Sequence, residues 1–288
     1  MSTPLPLTAE LREPRRRSRL ARFRLTLVGA LLIAALLLCA AASPWLAPHS
    51  PQAMNLAEEL AAPSPGHPLG QDKFGRDVLS RIIYGARVSL LVGVLTVMVS
   101  VAIGAALGCT AGYLGGMVDE VFLRVVDIFL AFPGILLALA IMAVLGPSLS
   151  NVIIALCLTG WVGYARLARA QVLSLKERDF VVAARATGAS DSRIIFRHIL
   201  PNVAAPLSVQ ATFGMGAAIT AEAALSFLGL GVQPPTPSWG SMLNEGRQFL
   251  LIAPHLTTFP GLAIMLVVLG FNFLGDGLND WLDPRKVT

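Results

Sequence analysis

Charged residues are scarce in this sequence. Asp, Glu, Lys and Arg make up 14% of its 288 residues and hydrophobic residues make up 55%, whereas a soluble domain has about 25% charged residues. Several charge-free windows are longer than the roughly 20 residues that an α-helix needs to cross a bilayer. They are continuously apolar, without the alternation that marks a transmembrane β-barrel. The composition excludes a soluble globule and predicts a helical membrane protein with several spans.

Motifs for catalysis and nucleotide binding are absent. None of the three lysines follows a glycine, so the sequence has no phosphate-binding loop of the type G-x-x-x-x-G-K-[ST]. The four histidines form no H-E-x-x-H motif, and there is no G-x-S-x-G motif. The three cysteines lie inside apolar runs without metal-ligand spacing. We therefore expect no catalytic residue, metal site or cofactor on this chain, and any energy from ATP must come from another chain.

The formal net charge of +5 does not indicate a nucleic-acid partner. Seven arginines lie among the first 24 residues, directly before an apolar run at residues 25–42, and this placement suits the flank of a membrane span. The run is longer than the apolar core of a secretory signal, which has about 7 to 15 residues. We therefore expect an uncleaved first span.

The apolar runs predict six spans and a defined orientation. They lie near residues 25–43, 88–112, 121–145, 150–167, 206–229 and 259–275. With six spans, both termini lie on one side of the membrane, and that side receives seventeen Lys and Arg residues against five on the other. The positive-inside rule then places both termini in the cytoplasm.

The chain is thereby divided into a basic tail, a first span, an outer loop, a core and a C-terminal tail. We expect the outer loop to be rich in proline and to end in an amphipathic helix at the membrane interface, because Phe74, Val78 and Ile82 recur at four-residue spacing among charged residues. The core has five helices, an inner loop and a second outer loop. The boundaries are 1–24 for the basic tail, 25–43 for the first span, 44–87 for the outer loop, 88–275 for the core, 169–206 for the inner loop, 231–258 for the second outer loop and 276–288 for the C-terminal tail.

The inner loop has a helix, break, helix pattern. Alanine-rich residues lead to Gly188, which can adopt a positive φ, and Ser190 or Asp191 can cap the next helix. We expect Pro201 and Pro206 to limit this second helix.

Two carboxylates fall inside predicted spans, where ionisable groups are costly and often functional. Asp127 has Arg124 three residues away, and a local ion pair is the favoured interpretation. Glu222 has no local basic partner, so two roles remain open: it lines the transport pathway or its gate, or it pairs with another helix. Gly104 and Gly108 form a G-x-x-x-G motif, which favours close helix packing.

Three stretches of sequence carry a family resemblance. The first is Val182 to Gly188 with Leu200 and Pro201, which resembles the EAA loop of ABC importer permeases, although Val182 replaces the first glutamate of the motif and His198 replaces an isoleucine. The others are residues 67–87, with Gly75-Arg76-Asp77 at their centre, and residues 222–240. Together they resemble the C-type subunit of the dipeptide, oligopeptide and nickel permease family over nearly the whole chain.

The resemblance implies a type I ABC importer (MetI-like) permease fold in the cytoplasmic membrane of a bacterium or archaeon. It implies a heterodimer with a second homologous permease, two ATPase subunits that carry ATP and Mg²⁺, and an extracytoplasmic binding protein. It also implies that the inner loop couples ATP hydrolysis to the spans by alternating access. The residues that would form the coupling loop are Ala183, Ala184, Arg185, Gly188, Ala189, Leu200 and Pro201, with Glu222 as a candidate pathway or gate residue.

Peptide is the expected substrate, although the same machinery can import nickel, glutathione or another small solute. Two other classes stay open. An ion-coupled carrier would need no ATPase and would depend on Glu222, while a non-transporting scaffold would use the inner loop for assembly only.

Overall fold

The computed structural model describes residues 15–282, with side chains from residue 24. Residues 1–14 of the predicted basic tail and residues 283–288 of the predicted C-terminal tail lie outside this range. No strand occurs among the described residues, only an isolated bridge between Gln71 and Asp77. The helices are α1 (Arg15–Ala41), α2 (Ser43–Leu46), α3 (Val78–Leu114), α4 (Gly116–Leu130), α5 (Gly134–Leu145), α6 (Leu149–Leu175), α7 (Asp179–Ala186), α8 (Asp191–Ile194), α9 (Leu200–Phe227), α10 (Trp239–Gly246) and α11 (His255–Leu282).

The long apolar helices confirm the expected membrane fold. Five helices are long and apolar enough to cross a membrane. If α4 and α5 together count as one further span, the total is six. α3 lies at the centre and contacts α1, α6 and α9, while α11 packs against α1 and α9. The side chains buried between these helices form the core.

Small residues let α3 and α6 approach closely. A Cβ atom at Gly104 or Gly108 would overlap backbone atoms of Trp161 or Ala165. The G-x-x-x-G motif thus lies in the contact between these two helices, as the sequence predicts.

Residues 78–87 differ from the prediction of a separate interfacial helix. They are the first turns of α3, which begins at Val78 and continues into the second span. Asp77 caps this helix, because its Oδ2 accepts a hydrogen bond from the Ser80 backbone N–H at 2.7 Å. The His67 Nδ1 lies 2.9 Å from the other oxygen of Asp77 and holds the cap in place.

The third span is broken, where the sequence predicts one helix over 121–145. α4 ends at Leu130, α5 begins at Gly134, and the two helix axes differ by 81°. Pro133 explains the break: it lacks an N–H and disfavours helical backbone at the residue before it, Phe132.

The prediction that Pro201 and Pro206 limit the helix after Gly188 is wrong. The chain is helical from Asp191 to Phe227, and both prolines lie inside this segment. A wider turn at Ile195–Ile199, in which the Leu200 N–H donates to the Ile195 carbonyl, precedes Pro201. Such wider turns let a helix pass through a proline, because carbonyl groups find other donors.

Candidate functional site

The inner loop forms a tight pair of helices joined at Gly188. The pair consists of α7 and of α8 with the wider turn that continues it, Ile195–Ile199. The φ angle of Gly188 is 81°, and a Cβ atom there would meet nothing within 4 Å, so backbone conformation alone demands glycine. The N–H of Gly188 donates to the Arg185 carbonyl at 3.0 Å, and that of Ala189 donates to the Ala184 carbonyl at 3.1 Å. These two bonds make a Schellman motif. Ala184 and Ala189, which occupy its paired apolar positions, both pack against the core.

The inner face of this pair is anchored under the bundle. Val181, Ile194 and Ile199 are completely buried. They belong to one apolar cluster with Tyr113 at the end of α3 and Val172 near the end of α6. Leu200 lies at the edge of the same cluster, and Pro201 follows it in the first turn of α9. The pair is thus packed against α3 and α6, and it continues directly into α9.

Polar contacts fix the pair against α3. The Tyr113 hydroxyl donates to Asp191 Oδ1 at 2.9 Å, and the Arg185 guanidinium lies 5.5 Å from the centre of the Tyr113 ring. Contact with the Tyr113 hydroxyl raises the pKa of Arg185 above its ordinary value. Arg185 is therefore a fixed positive charge at the junction between the pair and α3.

The outer face of the pair exposes large apolar side chains beside positive charges. Phe180, Val182 and Phe196 are 42%, 51% and 69% exposed. Ala183 is exposed beside Val182. The exposed arginines around them are Arg178, Arg185, Arg193 and Arg197. An apolar face with a positive rim suits a protein partner whose groove is apolar and whose edge is acidic.

Glu222 is completely buried in α9. Its Oε1 accepts a hydrogen bond from the Ser226 hydroxyl at 2.7 Å, and Ser226 also accepts from the Val232 N–H at 3.1 Å. No lysine or arginine forms an ion pair with Glu222 within residues 24–282. Ser226 thus joins the end of α9 to the chain that follows, with Glu222 as the acceptor of its hydroxyl, and the role of Glu222 as a gate stays a prediction.

The expected pair of Arg124 and Asp127 does not form. Arg124 instead lies 2.6 Å from Glu120, four residues earlier on the same helix. The two partners are then one full turn apart, the common spacing for ion pairs on a helix. Asp127 is exposed on the same helix.

A cavity of about 220 Å³ lies between α3, α5, α6 and α9. Its wall contains Thr96, Ser100 and Tyr164, and is otherwise built mainly from small and aliphatic residues. No charged residue lines it. Glu222 is not part of the wall, whereas its neighbour Ala221 is.

A buried ionic cluster at the opposite end of the bundle from α7 was missed by sequence reasoning. Arg76 and Arg81 are both 2% exposed. Arg76 Nε lies 2.6 Å from Asp72, and Arg76 Nη2 lies 2.6 Å from Glu245 of α10. Arg81 lies 3.5 Å from the same two carboxylates. The cluster joins the first outer segment to α10. Its signal in the sequence is the dense run of alternating charges at residues 72–81, but the partner on α10 is far away along the chain.

Comparison with known proteins places the chain among transport proteins. Residues 104–288 match the family described as the binding-protein-dependent transport system inner membrane component, and residues 15–63 match the N-terminal TM domain of oligopeptide transport permease C. The dipeptide transport system permease protein DppC of Alkalihalophilus pseudofirmus is 50% identical over 93% of this chain and 88% of that protein. The glutathione transport system permease protein GsiD of Escherichia coli is 45% identical, again over 93% of this chain and 88% of that protein.

Solved structures share the fold. A structure of the MetNI methionine ABC transporter in an inward-facing conformation has a TM-score of 0.54 and 20% sequence identity, and it covers 69% of this chain and 94% of that chain. The expected MetI-like permease fold is confirmed.

Proposed function

The chain belongs to the family of binding-protein-dependent transport system inner membrane components, and on that premise we propose that it is the C-type permease subunit of an ATP-driven importer of short peptides. Two relatives support the peptide substrate. One is named for dipeptide transport and the other for glutathione transport. Dipeptides and glutathione are both short peptides with free carboxylates, which makes a nickel ion the less favoured cargo.

The chain itself performs no catalysis in this proposal. It pairs with a second homologous permease, two ATPase subunits bind ATP and Mg²⁺, and an extracytoplasmic binding protein delivers the peptide. The absence of a phosphate-binding loop in the sequence supports an ATPase on separate chains. The charge asymmetry of the loops supports a cytoplasmic position for both termini and for the α7 and α8 pair.

The single observation that carries the proposal is the helix pair around Gly188. Its inner face is packed against α3 and α6 and it continues into α9, whereas its outer face exposes Phe180 and Val182 beside arginines. A partner that binds the outer face therefore moves the spans through the inner face. ATP binding by the partner favours one state of the spans and hydrolysis restores the other, because the partner binds the pair differently in the two states.

The test is reconstitution of the purified complex in liposomes with loaded binding protein. We expect an ATPase and a second permease to purify with this chain, and uptake to require ATP. The variant Gly188→Ala places a side chain at a φ of 81°, which costs about 1 to 2 kcal/mol and disturbs the turn. We expect it to lower uptake per ATP hydrolysed. Gly66→Ala is the matched control, because a Cβ atom there also meets nothing within 4 Å and φ lies outside the left-handed region.

Three results would contradict the proposal. Recovery of the chain alone, with uptake driven by an ion gradient, would indicate a secondary transporter. Recovery of the full complex without uptake of any short peptide would overturn the assignment of short peptides as the substrate. Unchanged coupling in Gly188→Ala, relative to Gly66→Ala, would show that the helix pair serves assembly only.

A further inference from the structure

The break in the third span places the first residues of α5 in the wall of the cavity between α3, α5, α6 and α9. Gly134 and Ile135, the first two residues of α5, belong to the cavity wall. The N–H groups of Leu136 and Leu137 both donate to the Pro133 carbonyl, at 2.9 and 3.1 Å. Within residues 24–282 no acceptor is bonded to the N–H of Gly134 or Ile135. These two donors and the partial positive charge at the start of α5 are therefore available to a ligand.

A second, independent observation points into the same cavity. Thr96 and Ser100 lie one turn apart on α3 and are 5% and 1% exposed. Ser100 Oγ has no hydrogen-bond partner among the described residues, and the polar contact of the Thr96 hydroxyl is with the Cys157 thiol, which is only a weak acceptor. Thr159 in the same wall shows the usual arrangement of a threonine inside a helix, in which the hydroxyl bonds to the carbonyl four residues earlier. Its hydroxyl donates to the Ala155 carbonyl at 3.1 Å.

Buried hydroxyls without a strong acceptor are unusual, because their lost hydrogen bonds to water are not replaced within the protein. Two such hydroxyls on one face of α3 line the same cavity as the Gly134 and Ile135 N–H groups, and together they form a set of donors without a strong acceptor. No carboxylate and no cationic side chain lines the cavity. The ligand that fits this set is an anion with several acceptor oxygens. In some secondary transporters the N-terminus of a half-helix likewise points at the carboxylate of the substrate.

We propose that this cavity receives the free C-terminal carboxylate of a short peptide during transport, through the Gly134 and Ile135 N–H groups and the Thr96 and Ser100 hydroxyls. The inference rests on the proposed import of peptides. The cavity volume of about 220 Å³ fits one end of a peptide rather than a whole one, since complete ligand pockets span about 300 to 1,000 Å³. Neutral donors hold the carboxylate weakly, which suits a site that must release its cargo.

The experiment uses the complete complex in liposomes, with a dipeptide and its C-terminal amide as probes. Binding protein is supplied at a concentration that saturates the stimulated ATPase for each probe. We expect Thr96→Val combined with Ser100→Ala to lower uptake of the dipeptide per ATP by about tenfold, equivalent to about 1.4 kcal/mol of lost interaction. Uptake of the amide should change much less, because it lacks the charge that the donors hold.

Thr110→Val is the matched control. It lies on the same helix, is exposed, and its hydroxyl is already bonded to the Ala106 carbonyl at 2.7 Å. If the double variant fails to assemble, the comparison of Thr96→Ser with Thr96→Val replaces it, because serine keeps the hydroxyl and valine keeps the shape. Restored dipeptide uptake in Thr96→Ser, against a loss in Thr96→Val, supports the proposal.

The outcomes separate this inference from the proposed function. Normal dipeptide uptake in the double variant, or an equal loss for the dipeptide and the amide, overturns the carboxylate site and leaves peptide import intact. Absence of ATP-dependent uptake of either probe by the unmodified complex overturns the proposed function, and the site falls with it.

Discussion

Glu245→Gln is the substitution that most directly tests the buried ionic cluster. Arg76 and Arg81 are each 2% exposed, and their charges are balanced by Asp72 and Glu245. The substitution keeps the shape of the side chain but removes one of the two negative charges. Two buried guanidinium groups then share one carboxylate.

The expected loss of stability follows from the burial of the partners. Removing one partner of a buried ion pair costs about 3 to 5 kcal/mol, because the other charge is left uncompensated. Glu245 is 17% exposed, and the glutamine oxygen can still accept from Arg76, so the low end of this range, about 3 kcal/mol, applies. At about 2 to 4 °C per kcal/mol, the midpoint of thermal unfolding should fall by about 6 to 12 °C.

The assay is thermal unfolding of the purified protein in mild detergent, followed by tryptophan fluorescence. Glu120→Gln is the control, because Glu120 and Arg124 are 64% and 75% exposed and such surface pairs contribute at most about 1 kcal/mol. Adding Arg81→Met to Glu245→Gln should restore at least half of the loss. Arg81 is the less satisfied arginine, since its Nε and Nη1 have no hydrogen-bond partner among residues 24–282.

Two results would refute this reasoning. If Glu245→Gln lowers the midpoint no more than Glu120→Gln, the cluster does not stabilise the fold. The second result is that the losses of stability from Glu245→Gln and Arg81→Met simply add in the double variant. The charges are then not coupled, because coupled groups deviate from additivity by about 0.5 to 3 kcal/mol in a double-mutant cycle.

Two further predictions concern the spans. Gly108→Ala should destabilise the protein by about 1 to 3 kcal/mol, because its Cβ would overlap a backbone oxygen of α6 that cannot move aside. Gly93→Ala, whose Cβ would lie 3.0 Å from the flexible end of Met215, should cost less in the same unfolding assay. Glu222→Gln should retain assembly and ATP-driven uptake, because the amide oxygen still accepts from the Ser226 hydroxyl. Loss of uptake in an intact complex would instead support a gate.

The parts of the structure that the sequence predicts well depend on local properties. Continuous apolar runs specify spans because a bilayer requires about 20 such residues, whatever surrounds them. The turn at Gly188 is predictable for the same reason, since its positive φ and its Schellman bonds involve only residues 184–189. The resemblance to the permease family then fixes the order of the elements.

The parts that were missed depend on distant partners or on competing local rules. Nothing near Arg76 and Arg81 in the sequence reveals that Glu245 neutralises them, so the alternating charged and apolar residues predict an interfacial helix. The two proline sites show the competing rules. Pro133 breaks the third span, whereas Pro201 is accommodated because a wider turn before it shifts the hydrogen bonds. The residue type is the same, and the neighbouring backbone decides the outcome.

The uninterrupted helix from Asp191 to Phe227 links the two sites in mechanical terms. Its first residues belong to the α7 and α8 pair, with Ile194 completely buried under the bundle. Some twenty residues later the same helix presents Gly214 and Ala218 to the cavity wall. A helix that ended at Pro201 would leave a joint between the α7 and α8 pair and the cavity, and movement of one would not fix movement of the other. Because the helix continues, a force on the outer face of the pair acts directly on one wall of the cavity. In the proposed mechanism, a partner that closes on Phe180 and Val182 therefore shifts the α9 side of the cavity wall, and no further structural element is needed to transmit the movement.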